Sequence, residues 1–208
     1  MNDLIESIEA LKGSEISEII DIRINEFSKI KNLGGSDIFR ELCFCIMTAN
    51  CGAEKCIEIH EKIGDKFNTL TELKLTEKFK EYGYRFPNIR SKFIIEARKS
   101  KLELKNKIES ELNNNNLREW IVRNIKGIGY KEASHFLRNI GFPNYAIIDF
   151  HIIDLLVTHG LIERPKTLTK RKYLEIENIL KNLGDKLNLN LAELDLYLWF
   201  LETGKILK

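Results

Sequence analysis

The chain has 208 residues, of which 43% are hydrophobic and 31% charged, and its formal net charge is only +2 from 33 basic and 31 acidic residues. This is the composition of a soluble globular protein that is long enough to bury a core. It excludes a polybasic coat, although basic side chains gathered on one face would still bind nucleic acid. No apolar run approaches the roughly 20 residues that cross a bilayer, so we expect no membrane partner.

Apolar residues recur along nearly the whole chain at the three-and-four spacing of amphipathic helices. After Ser14, a predicted N-cap, Ile16, Ile20 and Ile24 share one face. Similar patterns predict helices over 37–49, 53–63, 71–82, 88–102, 116–125, 130–140, 147–159, 169–183 and 191–203. Several ends carry residues that favour helix starts or stops, namely Pro87, Gly141, Asn190 and Gly204. With no alternating pattern typical of strands, the sequence predicts an all-α protein.

The acidic, amphipathic start, MNDLIESIEALKG, lacks the features of a signal peptide, which favours a cytoplasmic protein. The four cysteines are Cys43, Cys45, Cys51 and Cys56. Because Cys43 and Cys45 are two positions apart on a predicted helix, their side chains point to different faces. We interpret the cysteines as buried free thiols rather than a metal site.

Residues 124–142, NIKGIGYKEASHFLRNIGF, join two helical patterns through a Gly-x-Gly turn. Glycine carries no Cβ, so such a turn lets the backbone come close to another surface. The following helix would present unpaired N–H groups and the positive end of its dipole, which together attract a phosphate. We interpret the segment as a helix-hairpin-helix that grips the DNA backbone through Gly127, Ile128 and Gly129. A tight helix corner with no function is the alternative.

Lys131 lies in the first turn of the second helix of this hairpin, where the helix dipole disfavours a positive charge. An unprotonated lysine is a nucleophile that can attack a sugar carbon and hold it as a Schiff base. Asp149 follows the apolar run 146–148 and is a predicted N-cap whose carboxylate could stabilise positive charge on a deoxyribose ring. The alternatives are a solvated surface lysine and a plain helix cap.

GIGYK followed by IIDFH resembles the signature of the helix-hairpin-helix DNA glycosylases of the endonuclease III superfamily. The resemblance implies two all-helical lobes, with the hairpin, the lysine and the aspartate in the cleft between them. We therefore expect one functional unit over 1–208, with a central lobe over about 36–139 that contains the hairpin at 117–140. The second lobe would comprise 1–35 and 140–208. Such an enzyme acts on damaged double-stranded DNA, and we expect a monomer associated with the prokaryotic nucleoid.

No cysteine follows Cys56, whereas many members of that superfamily hold an iron–sulfur cluster with four C-terminal cysteines. We therefore expect neither a metal nor another cofactor. The short chain, its last residue Lys208, and the segments FRELCFCIMTAN and YRFPNIRSKFIIEAR resemble the compact archaeal-type (family 2) 8-oxoguanine DNA glycosylase/AP lyases. In that family the terminal lysine is associated with telling 8-oxoguanine from guanine, which implies this role for Lys208.

The resemblance also implies a mechanism in which the damaged base first leaves the helical stack. Lys131 would attack C1′ and Asp149 would stabilise the charge that develops on the sugar, after which β-elimination would nick the strand. Trp199 and Phe86 are the predicted stacking partners of the flipped base, although a core position is the alternative for Trp199. We take His151 as structural or supportive.

Several residues outside the hairpin are candidate DNA contacts. Arg85 and Arg90, together with Lys92 and Arg98, would form a DNA-facing charged surface, with a solvated helix face as an equal alternative. Asn50 is expected, from its position alone, to fill the gap that the flipped base leaves. Two other functions stay open for the whole chain: the same chemistry on another damaged or mismatched base, and a non-catalytic helix-hairpin-helix module that only binds DNA.

Overall fold

The computed structural model describes residues 2–110 and 116–207. Within these two stretches the chain forms α-helices and one short 3-10 helix, and no β-strand, which confirms the predicted all-α class. The helices are α1 (Asn2–Lys12), α2 (Glu15–Ile30), α3 (Gly35–Thr48), α4 (Ala53–Ile63), η1 (Gly64–Asn68), α5 (Glu72–Glu81), α6 (Pro87–Lys99), α7 (Lys101–Ser110), α8 (Asn116–Asn124), α9 (Tyr130–Asn139), α10 (Phe150–Thr158), α11 (Lys170–Leu187) and α12 (Leu191–Thr203). None of them is long and apolar enough to cross a membrane.

Buried apolar side chains form two clusters. The first is built around α3, whose residues 41–48 are all buried, and it draws on the chain from Ile38 to Tyr145. The second combines the two ends of the chain, because α1 and α2 pack with α10, α11 and α12. The first cluster includes Ile140, Phe142 and Tyr145, which lie past the end of the predicted central lobe at 139, and the two lobes and their bounds remain a prediction.

The predicted caps lie where the sequence places them. The Ser14 hydroxyl accepts a hydrogen bond from the N–H of Ile16 at 3.2 Å, and the Asn190 side chain accepts from two N–H groups at 3.0 Å. Pro87 begins α6, and Gly204 ends α12 in the left-handed conformation with φ of 69°. The Ser14 and Asn190 side chains satisfy backbone groups that a helix end leaves without partners.

Two helices were not predicted from the sequence. One is α1, which buries only Leu4 and Ile8, and the other is α7, which buries only Leu104 and Ile108. The predicted helix over 88–102 was wrong at its end, since α6 stops at Lys99 and α7 begins at Lys101. For α7 the apolar stripe is weak, and such a stripe is the signal that these predictions use; the start of the chain is amphipathic, so α1 could have been predicted.

Three of the four cysteines are buried free thiols, as predicted, whereas Cys51 is only half-buried. Burial raises the pKa of the Cys43 and Cys56 thiols, so both stay protonated at neutral pH. Among the described residues no group of three or more histidine, cysteine or acidic side chains is arranged to hold a metal ion.

Candidate active site

A cleft of about 870 Å³ opens where the C-terminal end of α3, the N-terminal ends of α9 and α10, and the last turns of α12 come together. It is lined in part by predicted site residues from five separate regions of the chain: Asn50, Arg85, Lys131, Asp149 and Trp199. The fold therefore brings the two predicted catalytic residues to one cavity that is large enough for a nucleobase and its sugar.

The predicted hairpin consists of α8, a turn at 125–129, and α9. Gly127 has φ of +82°, and a Cβ built there would lie 2.3 Å from a ring carbon of Phe93, so no other residue fits without rearrangement. The Ile128 side chain is buried, with only 5% of its surface exposed. It anchors the turn in the core, which leaves its backbone rather than its side chain for a contact with DNA.

Lys131 lies in the first turn of α9 with its side chain about three-quarters buried. Its Nζ is 3.2 Å from Oε1 of the neighbouring Glu132. The second oxygen of Glu132 accepts a hydrogen bond from the N–H of Gly129 at 3.3 Å. The candidate nucleophile is therefore bonded, through one carboxylate, to the turn of the hairpin.

Asp149 caps α10, as predicted, and its Oδ1 accepts a hydrogen bond from the N–H of Ile152 at 3.0 Å. The predicted helix over 147–159 accordingly begins only at Phe150. The cap fixes the orientation of the carboxylate and leaves Oδ2 for another partner. A carboxylate held in this way can stabilise a positive charge without first having to reorient.

Three buried side chains join the hairpin to the segment that leads into Asp149. Arg118 on α8 donates to both carboxylate oxygens of Glu177 on α11, at 2.6 and 2.7 Å. Arg118 also donates to the Ser134 hydroxyl on α9 at 3.1 Å, while Glu177 accepts from the N–H of Ala146 at 3.0 Å. This network fixes α9 relative to residues 146–148.

Tyr173 extends the same network from α11. Its hydroxyl donates to the carbonyl of Ala146 at 2.7 Å and accepts from the N–H of Ile148 at 3.2 Å. Residues 146–148 lie outside the helices, so their backbone groups need other partners. By supplying them, Tyr173 sets the position of the next residue, Asp149.

A buried ion pair lies at the floor of the cleft. Arg138 on α9 and Asp195 on α12 approach to 3.4 Å, and both line the cavity. Burial raises the pKa of Asp195 to about 6 although Arg138 opposes the shift, and the nearby charge of Asp149 raises it further. Burial also lowers the pKa of Arg138. For both partners, removal from water outweighs their attraction.

Trp199 lines the cleft from α12, as predicted. The His151 ring meets it edge-on at a centroid distance of 4.9 Å, and His151 Nδ1 lies 3.8 Å from Glu202. The buried indole nitrogen of Trp199 has no hydrogen-bond partner among residues 2–110 and 116–207. Because this nitrogen is itself buried, the side chain presents other atoms of its indole ring to the cleft and not its N–H.

Two arginines, one just before α6 and one in its first turn, hold the loop after α3. Arg85 donates to the carbonyl of Asn50 at 3.3 Å, and Arg90 donates to the carbonyl of Ala49 at 2.8 Å. Asn50 itself is exposed and adopts the left-handed conformation with φ of 59°. Of the two arginines, Arg85 lines the cleft, whereas Arg90 is buried and contacts the loop through the Ala49 carbonyl.

The remaining predicted residues lie away from the cleft or outside the described residues. Phe86 is half-buried at the start of α6, with the guanidinium groups of Arg85 and Arg90 at 4.9 and 5.7 Å from its ring, and it is not among the described residues that line the cleft. Arg98 donates to two carbonyls, those of Phe67 and Leu70, and thereby joins two segments of the first core. Lys208 lies outside the described residues.

The cleft residues that the sequence analysis did not single out include Glu132, Arg138, Phe150 and Asp195. Glu132 carries a local signal, because a glutamate three positions after a helix cap commonly bonds back to it. Phe150 directly follows Asp149, a candidate catalytic residue, and this position is a signal that the sequence contains. The structure leaves Phe150 65% exposed. Arg138 and Asp195 lie in apolar helical patterns, and no neighbouring residue indicates whether their charged side chains line a cavity or face solvent.

Comparisons with known proteins agree with this geometry. The profile of the Ogg-HhH family, described as 8-oxoguanine DNA glycosylase, matches residues 20–189. The chain is 55% identical over 206 residues to a curated 8-oxoguanine DNA glycosylase/AP lyase of Methanocaldococcus jannaschii, which covers 99% of both chains.

Solved structures give the same relationship. The fold is similar to that of the M. jannaschii 8-oxoguanine glycosylase/lyase in complex with a 15mer DNA containing 8-oxoguanine, with a TM-score of 0.95 over 99% of both chains at 55% identity. It is also similar to the 8-oxoguanine DNA glycosylase of Thermotoga maritima, with a TM-score of 0.92 at 40% identity, over 100% of this chain and 99% of the other. The chain therefore belongs to the Ogg-HhH family of 8-oxoguanine DNA glycosylases.

Proposed function

We propose that this protein is a bifunctional DNA repair enzyme that excises 8-oxoguanine through Lys131 and then cleaves the strand at the resulting abasic site. The observation that carries the proposal is the presence of Lys131 and Asp149 in one cleft beside a helix-hairpin-helix. It is supported by 55% identity over almost the full length to a protein named 8-oxoguanine DNA glycosylase/AP lyase.

The hairpin would bind the DNA backbone. The first backbone hydrogen bond of α9 runs from the N–H of Ala133 to the carbonyl of Gly129 at 2.9 Å, so the amides of the preceding residues are not paired within the helix. These amides and the positive end of the helix dipole suit a phosphate. Arg85 and Asn50 would contact the DNA at the opposite wall of the cleft, while Arg90 would act by holding the loop that carries Asn50.

The flipped base would enter the cleft and stack on Trp199. The indole ring, which lines the cleft, would supply the stacking surface. Phe86 is the second stacking candidate and would need to turn towards the cleft when DNA binds. Lys208 remains the candidate for telling 8-oxoguanine from guanine.

The chemistry follows from the two central residues. The lone pair of the Lys131 amine forms a bond to C1′, and the bond between C1′ and the base breaks, so 8-oxoguanine leaves with the bonding electrons and gains a proton. Asp149 stabilises the positive charge on the sugar during this step. The adduct opens to an imine that acidifies the C2′ proton, and loss of this proton expels the 3′ phosphate, which nicks the strand.

We further propose that the enzyme works as a monomer with two lobes, the central one over about 36–139, because the candidate cleft is completed by residues of one chain. A chromosomal DNA substrate would place it in the cytoplasm of a prokaryote, at the nucleoid.

A strand-cleavage assay tests the proposed function. The substrate is a duplex with a single 8-oxoguanine, beside the same duplex with guanine, and products are resolved without alkali. We expect the wild type and Lys126→Gln to nick the lesion strand, and Lys131→Gln to leave it intact. Cleavage of duplexes with another damaged base in preference to 8-oxoguanine would overturn the substrate, and nicking by Lys131→Gln would overturn the nucleophile.

A further inference from the structure

Glu132 connects the candidate nucleophile to the DNA-binding turn. Its side chain is 14% exposed, with Oε1 at 3.2 Å from Lys131 Nζ and Oε2 at 3.3 Å from the N–H of Gly129. A glutamate at this helix position commonly bonds to the backbone of the N-cap. Here the same side chain also contacts Lys131, the candidate nucleophile. A helix cap does not require this second contact.

The contact with Glu132 occupies the amine of Lys131. Its Nζ lies 3.2 Å from Oε1, so the atom that would attack a sugar carbon is bound to a carboxylate. In the absence of DNA, the arrangement of Lys131 and Glu132 is therefore a resting state.

The other contact of Glu132 occupies a donor that the hairpin would offer to DNA. The N–H of Gly129 lies at the turn, directly before α9, where a phosphate is expected to bind. A phosphate and the Glu132 carboxylate would compete for this N–H. Because both groups are anions, the Glu132 carboxylate and a phosphate at the same N–H would also repel each other.

We propose that Glu132 is a latch that keeps the amine of Lys131 bound to its carboxylate until a DNA phosphate at the hairpin displaces that carboxylate from Gly129. Displacement from Gly129 moves the carboxylate away from Lys131, so binding of the DNA backbone and release of the nucleophile are coupled. Glu132 is then a positioning residue, since it acts on the reaction only through Lys131. This inference rests on the proposed role of Lys131 as the nucleophile.

The chain offers a matched control on the same hairpin. Lys126, just before the turn, forms an ion pair with Glu96 on α6 that has the same 3.2 Å separation. Glu96→Gln removes the same charge from this second pair without touching Lys131 or Gly129. Glu132→Gln keeps an amide oxygen that can accept the Gly129 N–H, so the helix start is preserved while the charge is lost.

The first test measures amine reactivity in the protein without DNA. Wild type, Glu132→Gln and Glu96→Gln are acetylated with a limiting amount of an N-hydroxysuccinimide ester, and modification of Lys131 and Lys126 is read by peptide mass spectrometry. Glu132→Gln should raise the labelling of Lys131 at least about threefold relative to Lys126, whereas Glu96→Gln should leave Lys131 unchanged. Unchanged labelling of Lys131 in Glu132→Gln would overturn the latch.

The second test measures affinity for an undamaged duplex, where no chemistry occurs. Both variants lose one negative charge, so both should bind DNA somewhat better than wild type. The latch predicts a larger gain for Glu132→Gln, because this variant alone replaces the anion at the Gly129 N–H with a neutral amide that a phosphate displaces without charge repulsion. Equal gains would make Glu132 a helix cap only. Neither test depends on excision, so a failure of the proposed activity would appear separately, in the strand-cleavage assay.

Discussion

Arg118 and Glu177 form a bidentate ion pair, with Nη1 to Oε1 at 2.6 Å and Nη2 to Oε2 at 2.7 Å, between helices that are far apart in the sequence. Burial opposes the charge of Arg118, but the bonds to Glu177 outweigh this effect and raise the pKa of the guanidinium. Since Arg118 also bonds to Ser134 on α9 and Glu177 to the amide of Ala146, the pair sets the relative position of the two halves of the active site.

We predict that Glu177→Ala destabilises the fold by about 3 to 5 kcal/mol, because it leaves a buried guanidinium without its partner. The rate of lesion excision under single-turnover conditions should fall more than the affinity for undamaged DNA, since the hairpin remains while its position relative to Asp149 is lost. Chemical denaturation and single-turnover kinetics measure the two effects.

Glu175→Ala on the same helix is the control for this prediction. Glu175 pairs with Lys172 at 3.2 Å on the surface, with nearly half of its side chain exposed. We expect a change within about 0.5 kcal/mol and normal excision. Similar losses in the two variants would show that the ion pair between Arg118 and Glu177 has no special role in the fold.

Gly127→Ala should disable the hairpin. The residue has φ of +82°, and the added Cβ would meet the Phe93 ring at 2.3 Å. Backbone strain and overpacking together should cost about 2 to 4 kcal/mol, and affinity for duplex DNA should fall with the displaced turn. Gly13→Ala, between α1 and α2, where φ is not positive and an added Cβ would meet nothing nearer than 3.8 Å, should change neither quantity appreciably. Denaturation curves and binding isotherms on both proteins decide the point.

Asp195 should make stability depend on pH. Its pKa is raised from the ordinary 3.8 to about 6 by burial, so its contribution to stability is fully present below about pH 4 and is lost as the pH rises through 6. The full change is worth about 3 kcal/mol. The difference in unfolding free energy between wild type and Asp195→Asn should therefore decrease by about this amount from pH 4 to 7, whatever the variant costs otherwise. A difference that stays constant over this range would refute the assignment.

Trp199→Ala should weaken recognition of the lesion and not of DNA in general. Loss of stacking on a flipped base costs about 1 to 3 kcal/mol. Measured in a Lys131→Gln background, where no product forms, affinity for an 8-oxoguanine duplex should fall by this amount while affinity for the undamaged duplex stays the same. Equal losses on both duplexes would mean that Trp199 supports the fold or the backbone contacts instead.

Much of the hairpin could be predicted from the sequence. The Gly-x-Gly turn, the lysine in the next first turn and the aspartate at a helix start are local signals, because each depends on backbone conformation within a few residues. The structure places Lys131 and Asp149 at one cleft, although their roles remain a prediction. The caps at Ser14, Asp149 and Asn190 depend on equally local bonds and are confirmed.

Other parts could not be predicted because they depend on contacts between distant segments. Nothing near Arg118 indicates that its partner is Glu177, and nothing near Arg90 distinguishes it from Arg85, although the first is buried behind the loop and the second lines the cleft. The break between α6 and α7 was missed for a related reason. In both helices the few buried positions depend on how the surrounding core packs, and neither sequence shows a strong apolar pattern of its own.

The most direct test of the central claim is borohydride trapping of the enzyme on a duplex that carries one 8-oxoguanine, followed by peptide mass spectrometry of the adduct. The account predicts a covalent adduct on Lys131, formed by wild type and by Lys126→Gln, and absent with Lys131→Gln and with undamaged duplex. An adduct on any other residue, or strand cleavage by wild type without a trappable adduct, would contradict Schiff-base chemistry at Lys131.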